Sequence, residues 1–171
     1  TPRVDTQRDD EVSPGEAPSG DARYRIEHEI GRGGMGRIFL AKDTRLGRRV
    51  ALKTRLGDGE RAAMRFHQEA RATAQLEHPN IVPVYDLDED ERGEPRFTMR
   101  LVEGRSLSDV LSSLGRGEGM VARAFGPAEL LLVFTKVCDA VAYAHSRGVL
   151  HRDLKPDNIM LGRYGEVFVM D

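Results

Sequence analysis

Apolar and polar positions change their spacing along the chain, and these changes predict three successive segments. Residues 1–21 hold almost nothing apolar but much proline, glycine and charge, so they bury too little surface to offset the entropy lost on ordering. From residue 24 apolar positions alternate with polar ones, as in half-buried strands. Beyond residue 107 the spacing is mainly helical. We therefore expect a disordered tail, a strand-rich part and a helical part.

The strand-rich part is predicted to contain a single helix between its third and fourth strands. The strands cover residues 24–30, 37–42, 48–53, 81–85 and 96–102. The helix runs from about Gly59 to Leu76, and Pro79 follows its end because the residue before a proline avoids helical angles. Its apolar face comprises Ala62, Phe66, Ala70, Thr73 and Leu76. The acidic stretch 86–95 is interpreted as a solvated connection, since a calcium loop would need glycine where Glu91 stands.

The helical part is predicted to contain a short helix, a long helix and a final strand pair. The short helix covers residues 107–114, and residues 115–126 form a glycine-containing loop. Pro127 suits a first helical turn and begins a long helix to about Ser146. The core face of this helix is predicted to comprise Leu130, Phe134, Val137, Val141 and Ala144. The strands of the final pair cover residues 159–161 and 166–170.

Composition excludes several classes of protein. The formal net charge of -2 gives no electrostatic case for binding nucleic acid or an anionic membrane. Cys138 is the only cysteine, which excludes an internal disulfide and favours a reducing, cytoplasmic location. No apolar run approaches the roughly 18 residues of a membrane span. The first residue is Thr1 rather than methionine, which suggests processing or excision from a longer chain.

The segment from Ile30 to Ile38 contains a G-x-G-x-x-G pattern, at Gly31, Gly33 and Gly36. Such a pattern marks ordinary turns about as often as nucleotide sites. A Rossmann site needs a helix after the glycines, and a Walker A loop needs Gly-Lys-Ser/Thr, whereas a strand follows here. A glycine hairpin over phosphates fits better, because absent Cβ atoms let backbone amides approach an anion closely.

Lys53 ends the third predicted strand, after Val50-Ala51-Leu52. A lone lysine there is most often a snorkelling side chain, but its distance from the glycines favours a role at a nucleotide phosphate. Glu69, on the following helix, is the candidate partner of Lys53. The alternative for Glu69 is an exposed helix residue that pairs with Arg65 or Arg71.

The most specific chemistry lies at residues 151–158, which read H-R-D-L-K-P-D-N. Asp153 can accept a proton from an attacking hydroxyl, Lys155 can hold a migrating phosphoryl group, and Asn158 can ligate a metal ion. With the glycine hairpin and Lys53 upstream and Met170-Asp171 downstream, this pattern resembles the protein kinase superfamily. The motifs follow the family's order over residues 24–171. The alternative is that residues 151–158 form a polar turn with a local ion pair. In that case their spacing from the other motifs would be a coincidence.

The resemblance implies an α+β, protein-kinase-like fold with an antiparallel-sheet N-lobe at residues 22–102 and part of a helical C-lobe at 103–171. It implies ATP-dependent transfer of a phosphoryl group to a serine or threonine hydroxyl of a protein substrate, because the style of the motifs is similar to bacterial serine/threonine kinases. Asp153 would orient or deprotonate the hydroxyl, and Lys155 would neutralise charge on the transferred group. The catalytic residues are implied to be Asp153, Lys155, Lys53 and Glu69. Asn158 and Asp171 would hold Mg²⁺.

The resemblance also implies where ATP binds. Met99 would lie behind the adenine, and backbone groups of Arg100 and Val102 would bind its edge. Lys53, oriented by Glu69, would contact the α- and β-phosphates under the glycine hairpin. The implied nucleotide contacts are Ile30, Gly31, Arg32, Gly33, Gly34, Met35, Gly36, Arg37, Ile38, Ala51, Lys53, Met99, Arg100, Val102 and Met160.

Segments that the family carries after the position of Asp171 are absent from the sequence, so we expect a chain truncated there. Its long helix should then expose part of its apolar face. Arg152 implies control by phosphorylation of a later loop. Two other functions stay open: a non-catalytic nucleotide-binding or regulatory module, and an inactive fragment. The sequence indicates neither a particular substrate nor an oligomeric state.

Overall fold

The structure, a computed structural model, describes residues 23–33, 36–57, 59–117 and 124–170. The predicted tail at residues 1–21 lies outside these ranges, as do residues 118–123 of the loop predicted at 115–126 and Asp171. Among the described helices, none is both long and apolar enough to cross a membrane.

The first part of the chain is an antiparallel five-stranded sheet with one helix on it. Its elements are β1 (Tyr24–Arg32), β2 (Gly36–Asp43), β3 (Arg48–Arg55), α1 (Glu60–Ala74), β4 (Val84–Glu89) and β5 (Pro95–Met99). The strand order is β1-β2-β3-β5-β4. Helix α1 buries Phe66 and Ala70 against the sheet, where the rings of Phe66 and Phe97 lie 5.1 Å apart. Phe66, Ala70 and Leu76 of the predicted apolar face are buried.

The second part is a small sheet packed beside two helices. Its elements are β6 (Gly104–Ser106), α2 (Leu107–Gly115), α3 (Pro127–Ser146), β7 (Ile159–Gly162) and β8 (Val167–Val169). The strand order is β6-β7-β8. Ser106 caps α2 in a reciprocal capping box with Asp109. Pro127 begins α3 and Ser146 ends it, as the sequence predicted.

The loop after α1 fastens the first part to the second. Asn80 donates its side-chain amide to the carbonyl of Val167 at 2.9 Å, and its own carbonyl accepts from the N–H of Val169 at 2.8 Å. The His78 ring stacks on Tyr143 of α3 at 5.2 Å between centroids. These contacts fix one end of α1 relative to β8 and α3, so the space between the two parts has a defined shape.

The fourth and fifth predicted strands have wrong bounds. Strand β4 starts at Val84 rather than residue 81, because Ile81 and Val82 turn instead towards β8, where Ile81 forms a bridge with Val169. Residues 86–89 of the acidic stretch predicted as a connection belong to β4, where Asp88 is paired with Arg96 of β5 at 2.8 Å, and residues 90–94 connect the two strands. Strand β5 ends at Met99 rather than at residue 102.

The predicted core face of α3 is wrong in part. The buried residues are Val133, Val137, Ala140 and Ala144, whereas Phe134 is 63% exposed. Apolar residues occupy more than one face of α3, so periodicity alone did not select the face that packs against β8. Leu131 and Leu132 are also exposed, which confirms the prediction that this helix exposes apolar surface.

Candidate active site

A cleft of about 740 Å³ lies between the two parts of the chain. The β1–β2 hairpin contributes its glycines, β3 and α1 contribute charged side chains, and residues 148–158 form the opposite wall. The predicted site residues that line it are Gly33, Gly36, Ile38, Lys53, Glu69, Asp153, Lys155 and Asn158. Residues from position 33 to position 158 of the sequence are therefore brought together in one space.

Lys53 and Glu69 form a largely buried ion pair in one wall of the cleft. The Nζ atom of Lys53 lies 2.6 Å from Oε1 of Glu69, which confirms the predicted pairing. Arg65, one of the two alternative partners, donates instead to the carbonyl of Arg61 in its own helix. The second carboxylate oxygen of Glu69 is buried and accepts no hydrogen bond within the described residues. The pair joins α1 to β3 and holds the ammonium group at the cleft.

The glycine hairpin approaches β3 too closely for a side chain at one position. A Cβ atom on Gly36 would lie 2.5 Å from the Thr54 carbonyl oxygen and 3.2 Å from Cγ of Lys53. The N–H of Gly33 donates to the carbonyl of Gly36 at 2.9 Å, which closes the turn. Gly34 and Met35, the tip of the predicted phosphate loop, lie outside the described residues. A larger residue at position 36 would displace Lys53.

Other predicted nucleotide contacts on this hairpin lie away from the cleft lining. Arg37 binds Glu29 through two hydrogen bonds of 2.9 and 2.5 Å and covers the ring of Phe39. Ile30 and Arg32 are exposed on the same hairpin, and Gly31 is the register partner of Ile38 in the pairing of β1 with β2. The hairpin therefore has two faces. One faces the cleft and carries Ile38, and the other faces solvent.

Asp153, Lys155 and Asn158 converge at the opposite wall. The Nζ atom of Lys155 lies 2.8 Å from Oδ2 of Asp153. Asn158 donates its side-chain amide to the carbonyl of Asp153 at 2.9 Å and to Oδ2 at 3.3 Å. The single 3-10 turn Pro156–Asn158 carries Asn158 back towards Asp153. His151 supports the segment, with Nε2 2.9 Å from the carbonyl oxygen of Met170.

The environment of Asp153 keeps its carboxylate ionised. The hydrogen bond from Lys155 lowers the pKa of Asp153 below its ordinary value, with smaller contributions in the same direction from the charge of Lys155 and from Asn158. At neutral pH the group is therefore a hydrogen-bond acceptor that faces the cleft. Arg152, which precedes it, has a φ of 65°, the only positive φ of a non-glycine among the described residues. Such strain is typical of functional segments.

The hydrogen bonds of Asn158 leave its side-chain amide oxygen available to bind a metal ion. Its amide nitrogen is committed to Asp153, and no described group donates to its amide oxygen. The described ranges hold no group of three or more His, Cys, Asp or Glu side chains arranged for a metal. Mg²⁺ needs no such group, since it commonly takes one or two side-chain oxygens and completes its shell with phosphate and water. The second predicted ligand, Asp171, lies outside the described residues.

The predicted adenine-edge residues follow β5 but do not line the described cleft. Met99 is buried opposite Ala51 of β3, and Val102 and Met160 are half-buried. The N–H of Arg100 donates to the carbonyl of Pro83 at 3.1 Å. The Arg100 side chain turns away to Glu166, a contact that sequence reasoning missed because it depends on the β7–β8 register.

Comparison with known proteins places the chain among proteins of one family. The family model for the protein kinase domain matches residues 24–171. The chain is 43% identical over 156 residues to serine/threonine-protein kinase PknD of Chlamydia caviae and 46% identical over 156 residues to PknD of Chlamydia muridarum. Each alignment covers 87% of this chain but only 17% and 16% of the respective relative.

Solved structures share the fold over most of the chain. The apo form of PpkA-294 matches with a TM-score of 0.76 at 23% identity, over 92% of this chain and 61% of that one. The PknI kinase domain of Mycobacterium tuberculosis matches with a TM-score of 0.70 at 26% identity, over 92% and 62% of the two chains. The likeness to PpkA-294 shows the fold alone. The predicted α+β fold is confirmed.

Proposed function

Because this chain belongs to the protein kinase family, we propose that it forms the nucleotide-binding and catalytic part of a serine/threonine protein kinase. The observation that carries the proposal is the meeting of the Lys53–Glu69 pair with Asp153, Lys155 and Asn158 in one cleft. A cationic group faces a carboxylate there, as phosphoryl transfer needs for positioning and charge stabilisation. Residues 22–102 act as the nucleotide-binding lobe and residues 103–171 as part of the catalytic lobe.

The first lobe binds ATP. Lys53 contacts the α- and β-phosphates, and Glu69 holds its ammonium in place at 2.6 Å. The backbone N–H groups of the glycine hairpin cover the phosphates, with Gly36 allowing the close approach to β3. The carbonyl of Arg100 and the backbone of Val102 bind the adenine edge. Met99, Ala51 and Met160 would contact the adenine ring.

The second lobe presents the acceptor hydroxyl. Asp153 accepts a hydrogen bond from the attacking serine or threonine hydroxyl and takes its proton as the new bond from the hydroxyl oxygen to the γ-phosphorus forms. The bond from that phosphorus to the β–γ bridging oxygen breaks in the same step, and ADP leaves. Lys155, which already lies 2.8 Å from Asp153, neutralises negative charge on the transferred phosphoryl group. Lysine at this position is typical of serine/threonine kinases, and the curated relatives carry that name. The substrate is accordingly a protein with an accessible serine or threonine.

Asn158 and Asp171 are the residues that hold Mg²⁺. When bound, the ion neutralises charge on the phosphates and so favours attack by the hydroxyl. The free amide oxygen of Asn158 supports this assignment. Asp153 keeps Asn158 oriented through its carbonyl and carboxylate oxygens, so the chain fixes the ligand before the ion arrives.

Two measurements test this function. A thermal-shift titration with ATP and Mg²⁺ should stabilise the wild-type chain, by about 2.7 kcal/mol at a hundredfold excess over Kd. Lys53→Met should lose most of this effect, while Lys42→Met, a lysine of β2 outside the cleft lining, should keep it. Labelled phosphate transferred by the protein that carries this chain should be recovered as phosphoserine or phosphothreonine.

Two results would contradict the proposal. Recovery of phosphotyrosine alone would refute the serine/threonine assignment. A wild-type chain that is not stabilised by ATP would refute nucleotide binding. Stabilisation without any transfer would favour the non-catalytic nucleotide-binding module.

A further inference from the structure

Two ion pairs of opposite polarity join the segment after β5 to the β7–β8 hairpin. Arg100 on the segment pairs with Glu166 on the hairpin at 3.0 Å, and Glu103 on the segment pairs with Arg163 on the hairpin at 3.6 Å. The cation is on the segment in the first pair and on the hairpin in the second. A shift of the segment along the hairpin would therefore bring like charges towards each other, which disfavours other registers.

Arg100 makes the better-defined of these two pairs. Its guanidinium lies over the ring of Phe168, 4.8 Å from the centroid, and Phe168 is buried in β8. The second oxygen of Glu166 accepts the N–H of Tyr164 at 3.1 Å, so the carboxylate is fixed by its own turn. The Glu103–Arg163 pair is longer and more exposed, and exposed pairs contribute little. Arg100 and Glu166 are therefore the principal contact.

Both partners of this contact are themselves anchored. The N–H of Arg100 is held by the carbonyl of Pro83 at 3.1 Å. The hairpin is held by α3, since Lys136 donates to the carbonyl of Gly165 at 2.9 Å. The Arg100–Glu166 pair thus spans from the end of the large sheet to a turn fixed on the second part of the chain, across a small cavity of about 180 Å³.

We propose that Arg100 and Glu166 are positioning residues for adenine recognition, which rests on the proposed ATP site. The pair holds the carbonyl of Arg100 and the backbone of Val102 at a fixed distance from the floor of that site. Phe168, under the Arg100 guanidinium, is the register partner of Met160 on β7, so the same contact ties the adenine edge to the residue beneath the ring. Neither side chain touches the nucleotide.

The test is the affinity of the chain for adenosine, measured by calorimetric titration. Adenosine is uncharged, so phosphate contacts and long-range attraction do not enter the comparison. Arg100→Glu and Glu166→Arg, each alone, should weaken adenosine binding about three- to fivefold, the range that a partly exposed ion pair supplies. The double variant carries the pair in reverse and should bind within about twofold of wild type, by the logic of a double-mutant cycle.

A matched control separates positioning from a general charge effect. Arg49→Glu breaks an exposed ion pair of 3.4 Å with Glu27, which joins β3 to β1 and does not line the cleft, and it should leave adenosine affinity unchanged. Single reversals that retain wild-type affinity, or a double variant that stays weak, would overturn the inference. If a reversal does not fold, the milder Arg100→Gln and Glu166→Gln must each weaken binding, and wild-type affinity in both overturns it equally. A wild-type chain that binds neither adenosine nor ATP would refute the proposed function itself.

Discussion

The ammonium of Lys53 on β3 and the carboxylate of Glu69 on α1 lie 2.6 Å apart. Their side chains are 4% and 16% exposed, so each has lost most of its hydration. A buried charge without its partner is costly, whereas a paired one is tolerated. The Lys53–Glu69 pair therefore determines both how α1 lies against β3 and where the ammonium group lies in the cleft.

The variant Glu69→Gln tests this coupling with almost no change in volume. The Lys53 ammonium would keep its burial but lose the charge of the Glu69 carboxylate, so we expect the chain to be destabilised by about 3 kcal/mol and ATP to bind about tenfold more weakly. Urea unfolding and calorimetric titration measure the two effects. Glu60→Gln, an exposed acid in the first turn of the same helix, is the control. Equal behaviour of the two variants would contradict the coupling.

Any side chain at position 104 is predicted to destabilise the packing of β6 against β7. A Cβ atom there would lie 1.9 Å from the carbonyl oxygen of Leu161, so Gly104→Ala must force β6 away from β7. We expect a loss of about 1–3 kcal/mol in the free energy of unfolding, typical of overpacking. Gly115→Ala, at the last residue of α2 with open space around it, should be neutral or stabilising by up to about 1 kcal/mol. A Gly104→Ala variant as stable as Gly115→Ala would show that the pairing of β6 with β7 is wrong.

The ionisation of Asp153 depends on Lys155. Since the hydrogen bond from Lys155 lowers the pKa of Asp153, the carboxylate stays charged as the pH falls, until the lowered pKa is reached. In Lys155→Met the pKa of Asp153 should rise towards its ordinary value, so protonation begins at a higher pH. Carboxyl carbon shifts in an NMR titration follow this directly. Lys136→Met removes the same charge far from Asp153 and should not change the titration, and identical curves for all three proteins would exclude the contact.

The exposed apolar residues of α3 are predicted to cause self-association. Replacing Leu131, Leu132 and Phe134 together by glutamine keeps good helix formers on a solvent face. Unfolding free energy should change by no more than about 0.5 kcal/mol per site, while association measured by sedimentation should fall. Val137→Gln, in the buried face of the same helix, should instead destabilise the chain by about 2–4 kcal/mol. Unchanged association in the triple variant would contradict this reading of the surface.

Elements with local signals were predictable from the sequence. The long helix begins at Pro127 and ends at Ser146 as expected, because a proline suits a first turn and Gly148, with a φ of 76°, suits the residue after the end. Strand β6 was missed because three residues carry no periodicity, and it exists only through pairing with β7. The buried face of α3 was misplaced because the helix is apolar on several sides.

The candidate site also contains some contacts that could be predicted from the sequence and others that could not. The spacing of Lys53, Glu69 and residues 151–158 carried enough family pattern for the pairing to be expected before the structure placed it. The Arg100–Glu166 contact had no such signal, because it arises from the register of β7 with β8 and the anchoring of Gly165 by Lys136. The periodicity of a sequence does not reveal charged residues that act through tertiary contacts, because each of them alone has the pattern of an ordinary surface residue.

The most direct test of the account is transfer of labelled γ-phosphate from ATP to serine- and threonine-containing protein by the protein that carries this chain. We predict that Asp153→Asn lowers the rate by about 10²- to 10⁴-fold, the contribution of a positioned general base. Asp157→Asn, the same change at an exposed acid four residues further along, should leave the rate unchanged. Full activity in Asp153→Asn would contradict the catalytic site described above.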